Sequence, residues 1–217
     1  MHHFNNICFV DFETTGLDPA TDRIVEIGAM RGLHGHGGSM HMLVQLPVGR
    51  ELPPEAAKVN NLTTEMIQEH GMHPHDALDS LDAFVNGSIV VAHNAGYDVA
   101  IWDQHQRRFG LKPFISTFLC TKTLAMDLLP GLASYSLPKL YLDPAVDMQG
   151  VGSETSHRAL GDVKMTASLL RFLLTLPGAQ DAVVRLLNCC GRGAAHHAPK
   201  GYLPHHAREI DQFTDGK

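Results

Sequence analysis

The sequence has no apolar run near the roughly 20 residues that a membrane-spanning helix requires. Cysteine is scarce: Cys8, Cys120, Cys189 and Cys190 are the four, none in CxxC spacing and two adjacent. That argues against a disulfide framework and a cysteine-type zinc site, and fits a reducing compartment such as the cytoplasm. Charge is low, at 18% of residues, and 44% are apolar, so the chain is not a disordered polyelectrolyte. Basic residues are outnumbered 17 to 23, a net charge of −6, which argues against a protein that coats nucleic acid by bulk attraction. It leaves room for an enzyme that grips nucleic acid locally. The segment from Met1 to Asn6 has no basic stretch leading into an apolar core, so no secretory signal is expected. There is no internal repeat. A length of 217 residues suits one domain with a tail, and the 15 histidines are the compositional excess.

Residues 7–12 are apolar almost throughout, which predicts a strand buried on both faces. A turn from Thr14 to Thr21 follows. Strands are predicted at 23–32 and 40–46, joined by the glycine-rich stretch Gly32 to Gly38. Pro53-Pro54 break the chain, and short helical pieces run to about Gly71. A helix is predicted from His75 to Phe84 and a buried strand over Ile89–Ala92. A helix from Ala95 to Phe109 ends at Gly110. A strand over Ile115–Cys120 and helices over Thr121–Leu129, Leu137–Leu142 and His157–Leu176 complete the pattern. Beyond about Asn188 the chain turns rich in Gly, Ala, His and Pro. We therefore expect a folded domain over 1–187 and a loosely docked tail over 188–217. Strands mixed with helices predict an α/β fold with a mixed sheet.

Asp11 and Glu13 share one face of the first strand, because strand side chains alternate. They leave the carboxyl end of a central strand, where open α/β sheets place ligands. Two adjacent carboxylates repel unless a cation lies between them, and a hard divalent ion is the natural partner. Taken alone, the pair reads equally as solvated acids at a strand end. Asp98 falls in the first turn of the Ala95 helix, where an acid also stabilises the helix dipole. His157 and Asp162 are five residues apart, about 500° of helical rotation, which leaves them about 140° apart. They converge on one site only if His157 lies in the loop that opens the last helix.

Together these segments carry a resemblance. Asp11-Phe12-Glu13-Thr14-Thr15-Gly16-Leu17, Ile24 to Ala29, Ala92 to Asp98 and His157 to Asp162 resemble the DEDDh, or DnaQ-like, 3′-to-5′ exonucleases. Asn61 to Ile67, Cys120 to Ala125 and Tyr135 to Leu140 fit as well, so the likeness spans about residues 6–176. It implies a ribonuclease H-like fold, a mixed five-stranded sheet flanked by helices with its second strand antiparallel. It implies that Asp11, Glu13, Asp98 and Asp162 hold two divalent cations, Mg²⁺ or Mn²⁺, and that His157 is the general base. The product would be a nucleoside 5′-monophosphate released from the 3′ end of DNA or RNA.

The resemblance also implies that Thr14, Thr15 and Gly16 meet the terminal sugar and Leu17 a base, with Asn94 and Tyr97 lining the pocket. In one place the sequence departs: Asn60-Asn61 stand where many relatives have His-Gly. The implied partner is a nucleic-acid 3′ end, single-stranded, with no membrane. Two other readings stay open: a proofreading subunit whose tail docks on a polymerase, and a non-catalytic nucleic-acid-binding module on the same fold. Neither DNA-or-RNA preference nor oligomeric state is legible in the motifs.

Overall fold

The computed structural model describes residues 6–112, 117–148 and 158–190, and for 188–190 the backbone alone. Five strands, β1 (Ile7–Thr14), β2 (Ile24–Arg31), β3 (Ser39–Leu43), β4 (Ile89–Ala92) and β5 (Phe118–Cys120), form one sheet in the order β3-β2-β1-β4-β5. β2 runs antiparallel to β1 and β3, while β4 and β5 run parallel to β1. The mixed five-stranded sheet with an antiparallel second strand is therefore as expected. The helices are α1 (Pro54–Asn60), α2 (Thr64–His70), α3 (Pro74–Val85), α4 (Ala95–Arg108), α5 (Thr121–Leu128), α6 (Leu137–Leu142), α7 (Ala159–Leu173) and α8 (Ala179–Cys190).

β1 is the spine, and its alternation divides the core. Ile7 and Phe9 join Val91, Leu119 and the apolar residues of α5 to α8 on one face. Cys8, Val10 and Phe12 join Leu78, Leu81, Ile101 and Trp102 of α3 and α4 on the other. Asp11 and Glu13 continue the first series, so they leave the strand on the α7 face. Phe12 meets Trp102 edge-on at 5.8 Å between ring centroids, which pins α4 against β1 beside that acidic pair.

Several boundaries differ from the sequence reading, among them these. β3 ends at Leu43 rather than 46: the Val44 amide still bonds Val25 of β2, but Val44 bridges to Met72 and the Gln45 amide bonds the Met72 carbonyl. β5 begins at Phe118, and residues 113–116 lie outside the described set. The last helix predicted, to Leu176, ends at Leu173, and α8 follows. α8 runs through the expected domain boundary at 187, burying Ala179, Ala182 and Val183. That spacing is helical, but the Gly- and His-rich chain after it masked the signal.

Candidate active site

The acids arrive from three elements. Asp11 and Glu13 come from the end of β1, Asp98 from the first turn of α4, and Asp162 from the first turn of α7. α4 starts directly after β4 because Asn94 takes a left-handed conformation, φ 68°, which turns the chain tightly. α7 approaches the sheet closely because Gly28 lies beneath it; a Cβ there would fall 2.4 Å from the carbonyl carbon of Ala159. Asp11, Glu13 and Asp162 each present a carboxylate oxygen within 4.8 Å of the others. Asp98 is buried, and its charge acts on Asp11.

The electrostatics follow from crowding. Burial first, then the charges of Asp98, Asp162, Glu13 and Glu26, push the Asp11 carboxyl well above its usual range. Burial and the neighbouring acids push Glu13 up to about 8. Burial likewise takes Asp98 to about 8, against backbone hydrogen bonds from its own amide and that of Phe12. Such a cluster holds protons near neutral pH unless a cation replaces them. Carboxylate oxygens alone make a donor set that fits a hard divalent ion.

The residues expected to meet substrate divide. Leu17 is 86% exposed at the loop tip. The Tyr97 hydroxyl sits 2.8 Å from Thr14 Oγ1 and donates to the Gly16 carbonyl at 2.6 Å, so Tyr97 ties down the loop from behind. Thr15 is buried, and its hydroxyl donates to Asp22 at 2.7 Å. Asn94 is exposed, with Lys122 Nζ 3.5 Å from its Oδ1. His157 lies outside the described residues. α7 begins at Ala159, with extended Arg158 as its cap.

The Asn60-Asn61 departure has a structural answer. Asn61 adopts φ 53°, the left-handed region that Asn tolerates best after Gly. Asn60 is buried and donates to the Thr14 carbonyl at 3.2 Å, supporting the same loop.

Two residues in the motifs had no assigned role. His93 is held by Thr121 and by the Tyr135 carbonyl, to which Nε2–H donates at 2.9 Å. Burial, with some help from the Lys122 charge, pushes it down to about 4, so it is a neutral brace between β4 and α5. Glu26, fully buried on β2, accepts from Arg158 Nε at 2.8 Å and Nη2 at 2.7 Å, from the Ala159 amide at 3.1 Å and from His41 Nε2 at 2.5 Å. The signal for Glu26 was an acid in mid-strand between two apolar residues.

The RNase_T family model, described as Exonuclease, matches residues 8–170. The chain is 36% identical over 180 residues to the PolC-type DNA polymerase III of Thermotoga petrophila, covering 78% of this chain and 12% of that protein. It is 28% identical over 173 residues to the DNA polymerase III epsilon subunit of Treponema pallidum, covering 79% of this chain and 77% of that one. The fold matches Escherichia coli exonuclease I, solved in complex with a dA16 oligonucleotide, at a TM-score of 0.69 and 17% identity, over 85% of this chain and 42% of that chain. The chain thus spans only a small part of the PolC-type proteins and under half of exonuclease I. With four acids at the motif positions and the family match over 8–170, the chain belongs to the DEDDh, DnaQ-like 3′-to-5′ exonuclease family.

Proposed function

We propose that the protein is a divalent-metal-dependent exonuclease that removes nucleoside 5′-monophosphates from the 3′ end of a nucleic-acid strand. The observation that carries this is the convergence of Asp11, Glu13 and Asp162 within 4.8 Å, beside buried Asp98, on a chain of the exonuclease family. In this reading those four acids hold two cations, Mg²⁺ or Mn²⁺. Bound there, the cations supply an activated water and stabilise charge on the departing 3′ oxygen.

The chain's own residues do the rest. The four carboxylates would hold the cations that draw the reacting phosphate to the end of β1. His157, one residue before the cap of α7, takes the proton from the attacking water, for which an imidazole is suited near neutral pH. Leu17, exposed at its tip, meets the terminal base, while Thr14, Thr15 and Gly16 shape the loop that receives the sugar. Tyr97 and Asn60 keep that loop in place by their bonds to Gly16 and Thr14, and Asn94 lines the far side of the pocket. A net charge of −6 is compatible with this, because two bound cations would offset the four carboxylates where phosphate must approach.

The preferred substrate is a single-stranded 3′ end, supported by the fold shared with an exonuclease I solved on dA16. A proofreading role beside a polymerase is the second reading, favoured by the likeness to epsilon subunits, with residues 188–217 as the docking tail after an exonuclease domain over 1–187. A cytoplasmic site of action is proposed on cysteine usage. Matched DNA and RNA oligonucleotides, each single- and double-stranded, are incubated with Mg²⁺ or Mn²⁺ alongside an Asp11→Ala control. Mononucleotide release from single-stranded 3′ ends by the wild type alone is expected. Absence of release with every metal and strand defeats the proposal.

A further inference from the structure

The most heavily bonded acid among the described site residues is not one of the four proposed ligands. Glu26 stands directly across from Glu13 in the β1–β2 register, on the same face of the sheet. It is completely buried, and an isolated buried carboxylate is costly. Among the described residues its donors come from two places: the start of α7, through the Arg158 guanidinium and the Ala159 amide, and the edge strand β3, through His41. Two residues along, Gly28 removes the side chain that would keep the Ala159 backbone off the strand. Asp162 follows Ala159 within the same helical turn and bonds the Arg158 carbonyl through its own amide at 3.0 Å.

We propose that Glu26 is a positioning residue for phosphodiester hydrolysis: by holding Arg158 and the Ala159 amide, it docks the first turn of α7 on β2 and sets where Asp162 meets Asp11 and Glu13. Arg158 also lies one peptide from His157, so the same anchor sits next to the proposed base. Groups behind metal ligands commonly act this way, by fixing ligand orientation rather than touching the reacting atoms. The net effect of the bonds agrees: burial raises the Glu26 carboxyl, yet Arg158, His41 and the Ala159 amide outweigh it and hold it ionised below its usual range. The inference rests on the exonuclease reading for what is positioned, not for how the anchor is built.

The test uses the full chain as wild type, Glu26→Gln, Arg158→Ala, Arg158→Lys and the double variant Glu26→Gln/Arg158→Ala. Mn²⁺ binding is measured by calorimetry, folding by thermal melting, and kcat and KM on a labelled single-stranded DNA. Glu26→Gln and Arg158→Ala are expected to bind Mn²⁺ about tenfold more weakly and to lose about 10–100-fold in kcat. Oligonucleotide KM moves far less than kcat, because the strand-binding loop is elsewhere. Arg158→Lys restores part of the loss, and the double variant is no worse than the poorer single one, since both remove one unit. A folded Glu26→Gln with wild-type Mn²⁺ affinity and kcat overturns the proposal. Should Glu26→Gln fail to fold, half-exposed Arg158 decides, and wild-type Mn²⁺ affinity in Arg158→Ala overturns it equally. If the wild type releases no nucleotide, the exonuclease reading fails, and Mn²⁺ affinity still judges the anchor.

Discussion

Glu13 and Glu26 are the same residue type, paired across adjacent strands, and their surroundings drive them in opposite directions. Glu13 faces acids, and burial with their charges raises it to about 8. Glu26 is more deeply enclosed, yet four hydrogen bonds hold it below its ordinary range. One end of the sheet is thus left unbalanced until a cation arrives, while one strand over the charge is balanced within the chain. Like charges crowded against one another mark a candidate cation site; a buried acid with every oxygen engaged marks a structural joint.

The contrast breaks most severely at the unbalanced end. Asp11→Asn or Glu13→Gln is expected to cut nucleotide release on the order of a thousandfold, read by chromatography of released mononucleotides. His157→Ala follows, with turnover down about 10²–10⁴-fold but Mn²⁺ affinity by calorimetry retained, because a base is lost and no ligand is.

Stability should move with opposite signs. In EDTA near neutral pH, Glu13→Gln is expected to raise the melting temperature, because folding there forces a proton onto Glu13 and Gln needs none. Glu26→Gln should lower stability by about 2 kcal/mol through loss of charge-assisted hydrogen bonds, measured by urea unfolding.

The pH dependence sharpens the same point. Glu13 is raised in the folded state from 4.5 to about 8, so without metal its favourable contribution is full below 4.5 and is lost as pH rises through 8. Glu26 is lowered, so its contribution is present at neutral pH and is lost as pH falls through its depressed value. Metal-free protein should therefore melt at a lower temperature at pH 8 than at pH 6, and Mn²⁺ should raise the melting temperature more at pH 8, where the ligands have released their protons. The smallest effect is expected from Tyr97→Phe. It removes the hydroxyl that holds the Thr14–Gly16 loop, raising oligonucleotide KM a few-fold with kcat nearly unchanged.

The strand-borne half of the site was legible in the sequence because it is local. Asp11 and Glu13 two residues apart at the end of an apolar run declare their shared face, and Asp98 follows a strand-to-helix turn. Motif order then linked them to Asp162. The number of strands and the antiparallel second strand came through family likeness, and the strand order only from the fold, since alternation says which face a residue takes and not which strand lies beside it. Glu26 was in plain view within Ile24 to Ala29, but its role depends on Arg158, 132 residues away, and no local pattern encodes that contact. Asn60 and Tyr97 were likewise visible, yet only the folded loop shows that they support Thr14 and Gly16. β3 stopped short where the Gln45 amide goes to the Met72 carbonyl, a partner brought in by α2 and the turn after it.

The most direct test of the central claim follows a single-stranded oligonucleotide labelled at its 5′ end, with a free or a blocked 3′ end, in Mg²⁺, Mn²⁺ or EDTA. A ladder shortening one nucleotide at a time from the free 3′ end is expected, with 5′-monophosphates as products and no reaction in EDTA or on the blocked strand. Equal degradation in EDTA, or loss of nucleotides from the 5′ end, would contradict that claim.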